Sequence, residues 1–313
     1  MNKKEFKTLD EQIKTLKNKN LIINDEVYAK DILYKENYFF INGYRFLFYD
    51  RNTRKFKDGT TFEELYSSFL FDRNFRNILF KNLLIIENNI KSIISYQLSK
   101  KYGFKEKDYL KESNFTTDYK EKRRVEDVIN KMKRQIRVNG EKHSATYHYI
   151  TNYGYIPMWI LVKVLSFGLI NELYGILKLE DKVEIAKVYN LNPETFKIYL
   201  ELLSNYRNLC AHEDIVYEHK TQTIIPDTKY HELLNIKKID DEYVNGKNDI
   251  FAVILIIKQM LSKDKFIDLI NEINCALNKF DSSVKTISKK DIIKKMGFPD
   301  NYNELINIEV NNG

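Results

Sequence analysis

Three side chains near residue 210 have the types and spacing for metal-free acid–base chemistry on a phosphate: Arg207, Asn208 and His212. An imidazole titrates near neutral pH and accepts a proton, a guanidinium is permanently charged and neutralises negative charge developing on oxygen, and a carboxamide orients either by hydrogen bonding. Projected at ~100° per residue, the segment from Pro193 to His212 gathers Phe196, Ile198, Tyr199, Leu200, Leu202, Leu203, Tyr206, Leu209 and Cys210 on one broad apolar arc, with Lys197, Glu201, Ser204, Asn205, Asn208 and His212 opposite. Arg207 breaks the pattern by projecting inside the apolar arc. A guanidinium there needs a partner, because an isolated buried charge costs several kcal/mol. Asp72 and Glu87 are the candidate carboxylates, for Arg207 or for Arg73 and Lys91. Arg207 and His212 diverge by roughly 140° on an ideal helix, so one helix does not close a site. Either the arginine swings back, the helix loosens near His212, or a second copy supplies the opposing groups. A histidine near a helix end is also a common cap or dipole partner.

The elements that must position this helix read as helices. Glycine and proline number only 14 of 313 residues, against a usual share of ~12%, so turns are scarce and helices long. Asn192-Pro193-Glu194 is a cap-and-proline start for the Pro193–His212 helix. Thr60 or Thr61 with Glu63 or Glu64 resembles a capping box, and Phe62 to Tyr102 contains neither Gly nor Pro, which predicts one very long helix stopped by Gly103. Ahead of it, Phe6, Leu9, Ile13 and Leu16 have helical spacing between Asn2 and Asn37, with a second short helix capped by Asn24 or Asp25, and Tyr38 to Phe48 followed by Asp50-Arg-Asn-Thr-Arg leaves room for one hairpin. Pro157 opens a helix expected to be core through Trp159, Leu161, Val162, Leu165 and Leu169. A shorter helix covers Glu180 to Tyr189, residues 213 to 247 are loop-like, Ile250 to Phe280 forms two amphipathic helices, and the tail from Ser288 is a short basic helix and turn. The fold class is all-α, divided into an N-terminal unit over 1–60, a helical domain over 61–285 with a basic insertion at 100–142, and a tail over 286–313.

Composition removes several function classes. With 43% hydrophobic and 30% charged residues the chain buries a core, and its longest apolar run, Ile250 to Ile257, is far short of a membrane helix. Met1-Asn-Lys-Lys-Glu-Phe-Lys has no apolar stretch behind its charge, so no secretory signal is expected. Cys210 and Cys275 stand apart and read as buried thiols in a reducing cytoplasm. Neither Gly-x-Gly-x-x-Gly nor Gly-x4-Gly-Lys-Ser/Thr occurs, which removes the common nucleotide cradles, and no cofactor is expected. Glu63-Glu64, Glu213-Asp214 and Asp240-Asp241-Glu242 read as surface carboxylates, with no metal site. His143, His148, His219 and His231 read as loop or surface residues.

The net charge of +7 is concentrated: residues 100 to 142 carry 14 Lys and Arg against 8 Asp and Glu, a balance of +6. Lys120, Lys122, Arg123, Arg124, Lys131, Lys133, Arg134 and Arg137 lie on one predicted helix with few apolar positions, either a solvated face or a phosphate-tracking surface. Tyr147, Tyr149, Tyr153 and Tyr155, close by, are suited to stacking on bases.

Arg207-Asn208-Leu209-Cys210-Ala211-His212 is similar to the Arg-Asn-x-x-x-His signature of the HEPN superfamily, and Asn205-Tyr-Arg-Asn-Leu-Cys-Ala-His resembles that of AbiF/AbiD-type abortive-infection (Abi-like) proteins. The resemblance extends through Asn42-Gly43-Tyr44, Gly59-Thr-Thr-Phe-Glu-Glu-Leu-Tyr66, Phe71-Asp72-Arg73, Ile86-Glu87, Leu98-Ser99 to Tyr102-Gly103, Ile156-Pro157-x-Trp159, Leu165-Ser166-Phe167-Gly168 and Met296-Gly297-Phe298-Pro299. It departs at Lys163, where Glu is expected, at Gln97, where His is common, and at Glu213, where many relatives repeat His. The resemblance implies a HEPN-type helical bundle with extra terminal helices, two signatures meeting across a homodimer, and metal-independent cleavage of RNA with Arg207, Asn208 and His212 at the site. It further implies a cytoplasmic phage-defence effector or toxin partnered by structured noncoding RNA, with an antitoxin or inhibitor as a further possible partner and no membrane. The alternative is a catalytically silent RNA-binding component. The chemistry agrees: RNA supplies its own nucleophile, the 2′-hydroxyl, and needs only a proton acceptor and a cation.

Overall fold

The computed structural model describes residues 5–309, and it is all-α, with two minimal hairpins. In chain order the helices are α1 (Leu9–Lys17), α2 (Glu26–Glu36), α3 (Tyr38–Gly43), α4 (Phe62–Tyr102), α5 (Glu106–Tyr109), α6 (Lys122–Asn139), α7 (Ser144–Tyr153), α8 (Met158–Val164), α9 (Phe167–Ile176), α10 (Leu179–Lys187), α11 (Pro193–Ala211), α12 (Lys229–Leu233), α13 (Ile250–Met260), α14 (Lys263–Asp281) and α15 (Lys289–Lys295).

The spine is α4, 41 residues and about 60 Å long. Its start is fixed locally: Thr61 Oγ1 accepts from the Glu64 N–H and the Glu64 carboxylate accepts from the Thr61 N–H, a reciprocal capping box. Glu64 also accepts from the Thr286 N–H and hydroxyl, tying the C-terminal segment to the same end. Phe75, Leu79, Leu83, Ile86, Ile90 and Ile94 recur every three or four residues and are fully buried, so α8, α11 and α14 pack on this helix. Gly103, at φ 92°, ends it in a conformation L side chains rarely adopt. One buried apolar cluster runs from Ile13 to Leu305.

Several sequence expectations are corrected. Phe6 lies outside α1, which starts after the Thr8 cap, and is 89% exposed; Asn2 lies outside the described residues. Tyr38 to Phe48 is helical rather than extended, and the first hairpin is the next pair, Tyr49–Asp50 (β1) with Lys55–Phe56 (β2), turning through Arg54 at φ 57°. The segment 213–247 is not all loop. It holds α12 and a second hairpin, Lys238–Ile239 (β3) with Glu242–Tyr243 (β4), whose two-residue turn puts Asp240 and Asp241 at φ 50° and 63°, a position Asp tolerates. Helix α13 is apolar all round and buried from Ile250 to Ile257. Even so, among the described residues no helix is long and apolar enough to cross a membrane.

Candidate functional site

Helix α11 begins as its sequence dictates, with Asn192 Oδ1 accepting from the Thr195 N–H and Pro193 at the first position. It runs antiparallel to α4, so its C-terminal end, which carries the motif, meets the 72–91 stretch of the spine. The helix stops at Ala211. His212 is the cap, Glu213 takes the left-handed conformation at φ 58°, and the Asp214 N–H returns to the Leu209 carbonyl, the pattern that satisfies orphan carbonyls at a helix end.

Arg207 finds the carboxylate its position demands. Its Nε donates to Glu87 Oε2 at 3.0 Å, and its guanidinium carbon stands 5.6 Å from the centre of the Phe80 ring. Glu87 is almost completely buried and also accepts, on Oε1, from Lys91 Nζ at 2.6 Å. Because the tether uses Nε, the two terminal nitrogens of Arg207 make no hydrogen bond among the described residues, and the side chain is 26% exposed. Asn208, Ala211, His212, Glu213 and Asp214, at the same end of α11, are exposed. Among the described residues no side-chain hydrogen bond orients the His212 ring. The chain thus presents a tethered, part-exposed cation at Arg207 and an exposed imidazole at His212, both at the C-terminal end of α11.

A buried polar cluster underlies this edge. Asp72 is fully buried and accepts from Tyr44 Oη at 2.8 Å, from Arg76, and from the backbone N–H groups of Val216 and Tyr217. Arg76 also donates to the Asp214 carbonyl at 3.2 Å. Burial opposes the Asp72 charge; Arg76, the Tyr44 hydroxyl and the two backbone donors support it. Burial and the Asp72 charge push the Tyr44 phenol upward, so it stays a donor. The segment immediately after His212 is therefore clamped from below. On the surface, Arg73 holds Glu36 through two bonds at 2.9 and 2.7 Å and reaches Glu213 at 3.6 Å. Sequence reasoning placed Asp72 among partners for Arg73, Lys91 or Arg207; its ion-pair partner is Arg76, one turn along the same helix.

Residues beyond the expected set join the site. His219 Nε2 lies 3.1 Å from Asn205 Oδ1, on the same exposed helix face as Asn208 and His212, and burial lowers its pKa. The only sequence signal for it was Asn205 in the extended motif. Cys210 is buried under the motif, and burial, aided by Asp72, pushes its thiol up to about 12, so it is a packing residue rather than a nucleophile. Cys275, expected to be buried, is exposed on α14. His231, expected at the surface, is fully buried: the Thr228 N–H donates to Nδ1, Nε2 faces the Gly246 carbonyl at 2.8 Å, and Tyr243 stacks on the ring.

The eight basic residues expected to contact RNA are not equivalent. Helix α6 buries Val125, Val128, Ile129 and Met132, so it is amphipathic rather than free-standing. Lys131 bridges Asp127 and Glu172 at 2.9 and 2.7 Å, and Arg124 pairs with Glu121 while lying over Gly175. Lys120, Lys122, Arg123, Lys133, Arg134 and Arg137 are exposed and in no ion pair among the described residues. Helix α9 packs against both α6, which carries this surface, and α11, which carries the motif.

Comparison with curated proteins and with solved structures returns no significant match. The family model for Abi-like proteins matches residues 31–218, which spans α4, the basic helix and the whole motif. The chain belongs to the Abi-like protein family, a membership that supports a part in abortive infection and phage defence.

Proposed function

We propose that this chain is an abortive-infection effector of the AbiF/AbiD type and a HEPN endoribonuclease that cuts RNA without a metal, acting as a homodimer in the cytoplasm and bound or regulated by a structured noncoding RNA. The observation that carries the reading is the tethering of Arg207 through Nε to a buried carboxylate, which leaves both terminal nitrogens to meet a phosphate in a two-point contact. In the reaction His212 removes the proton from a 2′-hydroxyl, the 2′-oxygen attacks the adjacent phosphorus, and the bond to the 5′-oxygen breaks as that oxygen takes up a proton. The products are a 2′,3′-cyclic phosphate and a 5′-hydroxyl. Arg207 neutralises the charge gathering on the non-bridging oxygens, and Asn208 orients phosphate or imidazole. A second copy is invoked because, among the described residues, no hydrogen bond orients the His212 ring and the ring is exposed.

The test is cleavage of RNA in EDTA with the product ends mapped. Cyclic phosphate ends, and loss of cutting when the 2′-hydroxyl at the cut site is replaced by hydrogen, are expected; cutting of the deoxy-substituted strand overturns the mechanism. The unoriented His212 ring also suits a silent RNA-binding component, which predicts salt-dependent binding with no cleavage.

Glu87 acts as a positioning residue. Glu87→Gln leaves Lys91 and Arg207 side by side without the carboxylate between them, and a displaced cation is expected to lower kcat by roughly a hundredfold while KM moves little. Glu87→Asp, which keeps the charge, should recover part of the rate. A change confined to KM would remove Glu87 from this role.

A further inference from the structure

A second surface has the composition of a binding site and no place in the chemistry above. It is built by three segments: the turn after α4, helix α7, and the strap into α8. Trp159, expected to be core, is 43% exposed, Phe104 40% and Tyr153 56%. These rings form a chain of contacts in the open, with Phe104 to Trp159 at 5.9 Å, Phe104 to Tyr155 at 5.6 Å and Tyr153 to Tyr155 at 6.3 Å. Lys105 Nζ lies 4.9 Å from the centre of the Tyr155 ring. Of α7, only Thr146 is fully buried; Tyr147 and Tyr153 are 54% and 56% exposed, while Tyr149 packs partly against the core.

The end of α6 packs on α7 through Gly140, where an added Cβ would come within 3.1 Å of Ile150 Cδ1. Lys133, Arg134 and Arg137, exposed and without ion pairs among the described residues, lie in the last two turns of the helix that packs on α7. The rings begin beyond Tyr102, and residues 87 to 102 alone span ~22 Å of helix, so this surface is separate from the one at Arg207.

We propose that Phe104, Tyr153, Tyr155 and Trp159, with Lys105, form a stacking platform for unpaired bases of single-stranded RNA, and that the last turns of α6 track its phosphates. Aromatic faces open to solvent accept any base, and interleaved cations neutralise the backbone that carries it. A duplex hides its base faces and has nothing to stack. A second copy meeting the same face across a two-fold axis would bring two sets of Lys133, Arg134 and Arg137 together, an unfavourable juxtaposition. The choice of RNA over other polyanions rests on the ribonuclease reading above; the platform itself rests on the rings and charges.

The test uses a built-in reporter, since Trp159 is the only tryptophan in the chain. Full-length protein carrying His212→Ala, to stop turnover, is titrated with a short unstructured oligouridine while tryptophan emission and the anisotropy of labelled RNA are followed together. The two signals should saturate in parallel. Tyr153→Ala should weaken binding roughly five- to hundredfold, Tyr153→Phe should restore it, and duplex RNA should compete poorly. Anisotropy that rises without any change in tryptophan emission, with Tyr153→Ala at wild-type affinity, overturns the platform. So does an RNA-independent dimer that Tyr153→Ala dissolves, which assigns the face to a second copy. The two readings fail separately: a wild type that never cuts RNA but shows parallel saturation loses the ribonuclease and keeps the platform, and cleavage with a silent Trp159 does the reverse.

Discussion

Replacing His212 with alanine is expected to lower RNA cleavage by roughly 100- to 10,000-fold, the range a positioned general base contributes, and to leave the unfolding midpoint unchanged. Both halves follow from where the residue stands. Its backbone N–H closes the last turn on the Asn208 carbonyl, a bond alanine retains, whereas its exposed side chain makes no hydrogen bond among the described residues. Removing such a side chain typically alters stability by no more than about 0.5 kcal/mol. Arg207→Ala differs, because it also leaves Glu87 with Lys91 as its one remaining ion-pair partner, and a modest loss of stability should accompany the loss of rate. Arg207→Lys is not conservative here: a single ammonium cannot bond Glu87 and still offer two nitrogens to a phosphate. Initial rates in EDTA alongside thermal unfolding separate these effects, and wild-type cleavage by a folded His212→Ala protein would end the assignment.

What the sequence disclosed is what local chemistry controls. The bounds of α4 and the start of α11 were legible because caps, prolines and the absence of glycine act over three or four residues. Arg207 could be seen to need a partner, since helical projection reports which face a residue shares. It does not report what covers that face. The carboxylate that answers lies 120 residues away, and Glu87 and Asp72 were equal candidates until the antiparallel docking of α11 set the register. The same limit explains the misplaced residues. Trp159 has a core-like pattern, yet it sits in the first turn of α8 beside α7, of which only Thr146 is buried, and stays 43% exposed. His231 has a surface-like neighbourhood in sequence and is buried because Gly246 and the β3–β4 hairpin close over it. The basic helix was recognisable as basic, and its paired cations, Arg124 with Glu121 and Lys131 with Asp127, take partners three or four residues away, whereas the second partner of Lys131, Glu172, comes from a different helix.

Asp72→Ala is expected to destabilise the fold by about 3–5 kcal/mol, the cost of leaving one member of a buried ion pair without the other. Arg76, 2% exposed, would lose its carboxylate, and the Val216 and Tyr217 N–H groups and the Tyr44 hydroxyl would each lose an acceptor in the same place. Removing Arg76 as well does not repair this. Asp72→Ala with Arg76→Met eliminates the stranded charge but leaves the two backbone donors unpaired, each costing about 1–3 kcal/mol, so the double variant should recover only part of the loss. By contrast the Arg73 contact with Glu213, at 3.6 Å on the surface, should be worth under about 1 kcal/mol. The consequence reaches the site, because the clamped residues 214 to 217 fix the chain as it leaves His212. Among molecules still folded, hydrogen exchange at Val216 and Tyr217 should accelerate, and cleavage should fall further than the folded fraction does. Urea unfolding measures the first effect, and an Asp72→Ala midpoint equivalent to less than about 1 kcal/mol of change, with those amides still protected, would show that the clamp does not hold the motif.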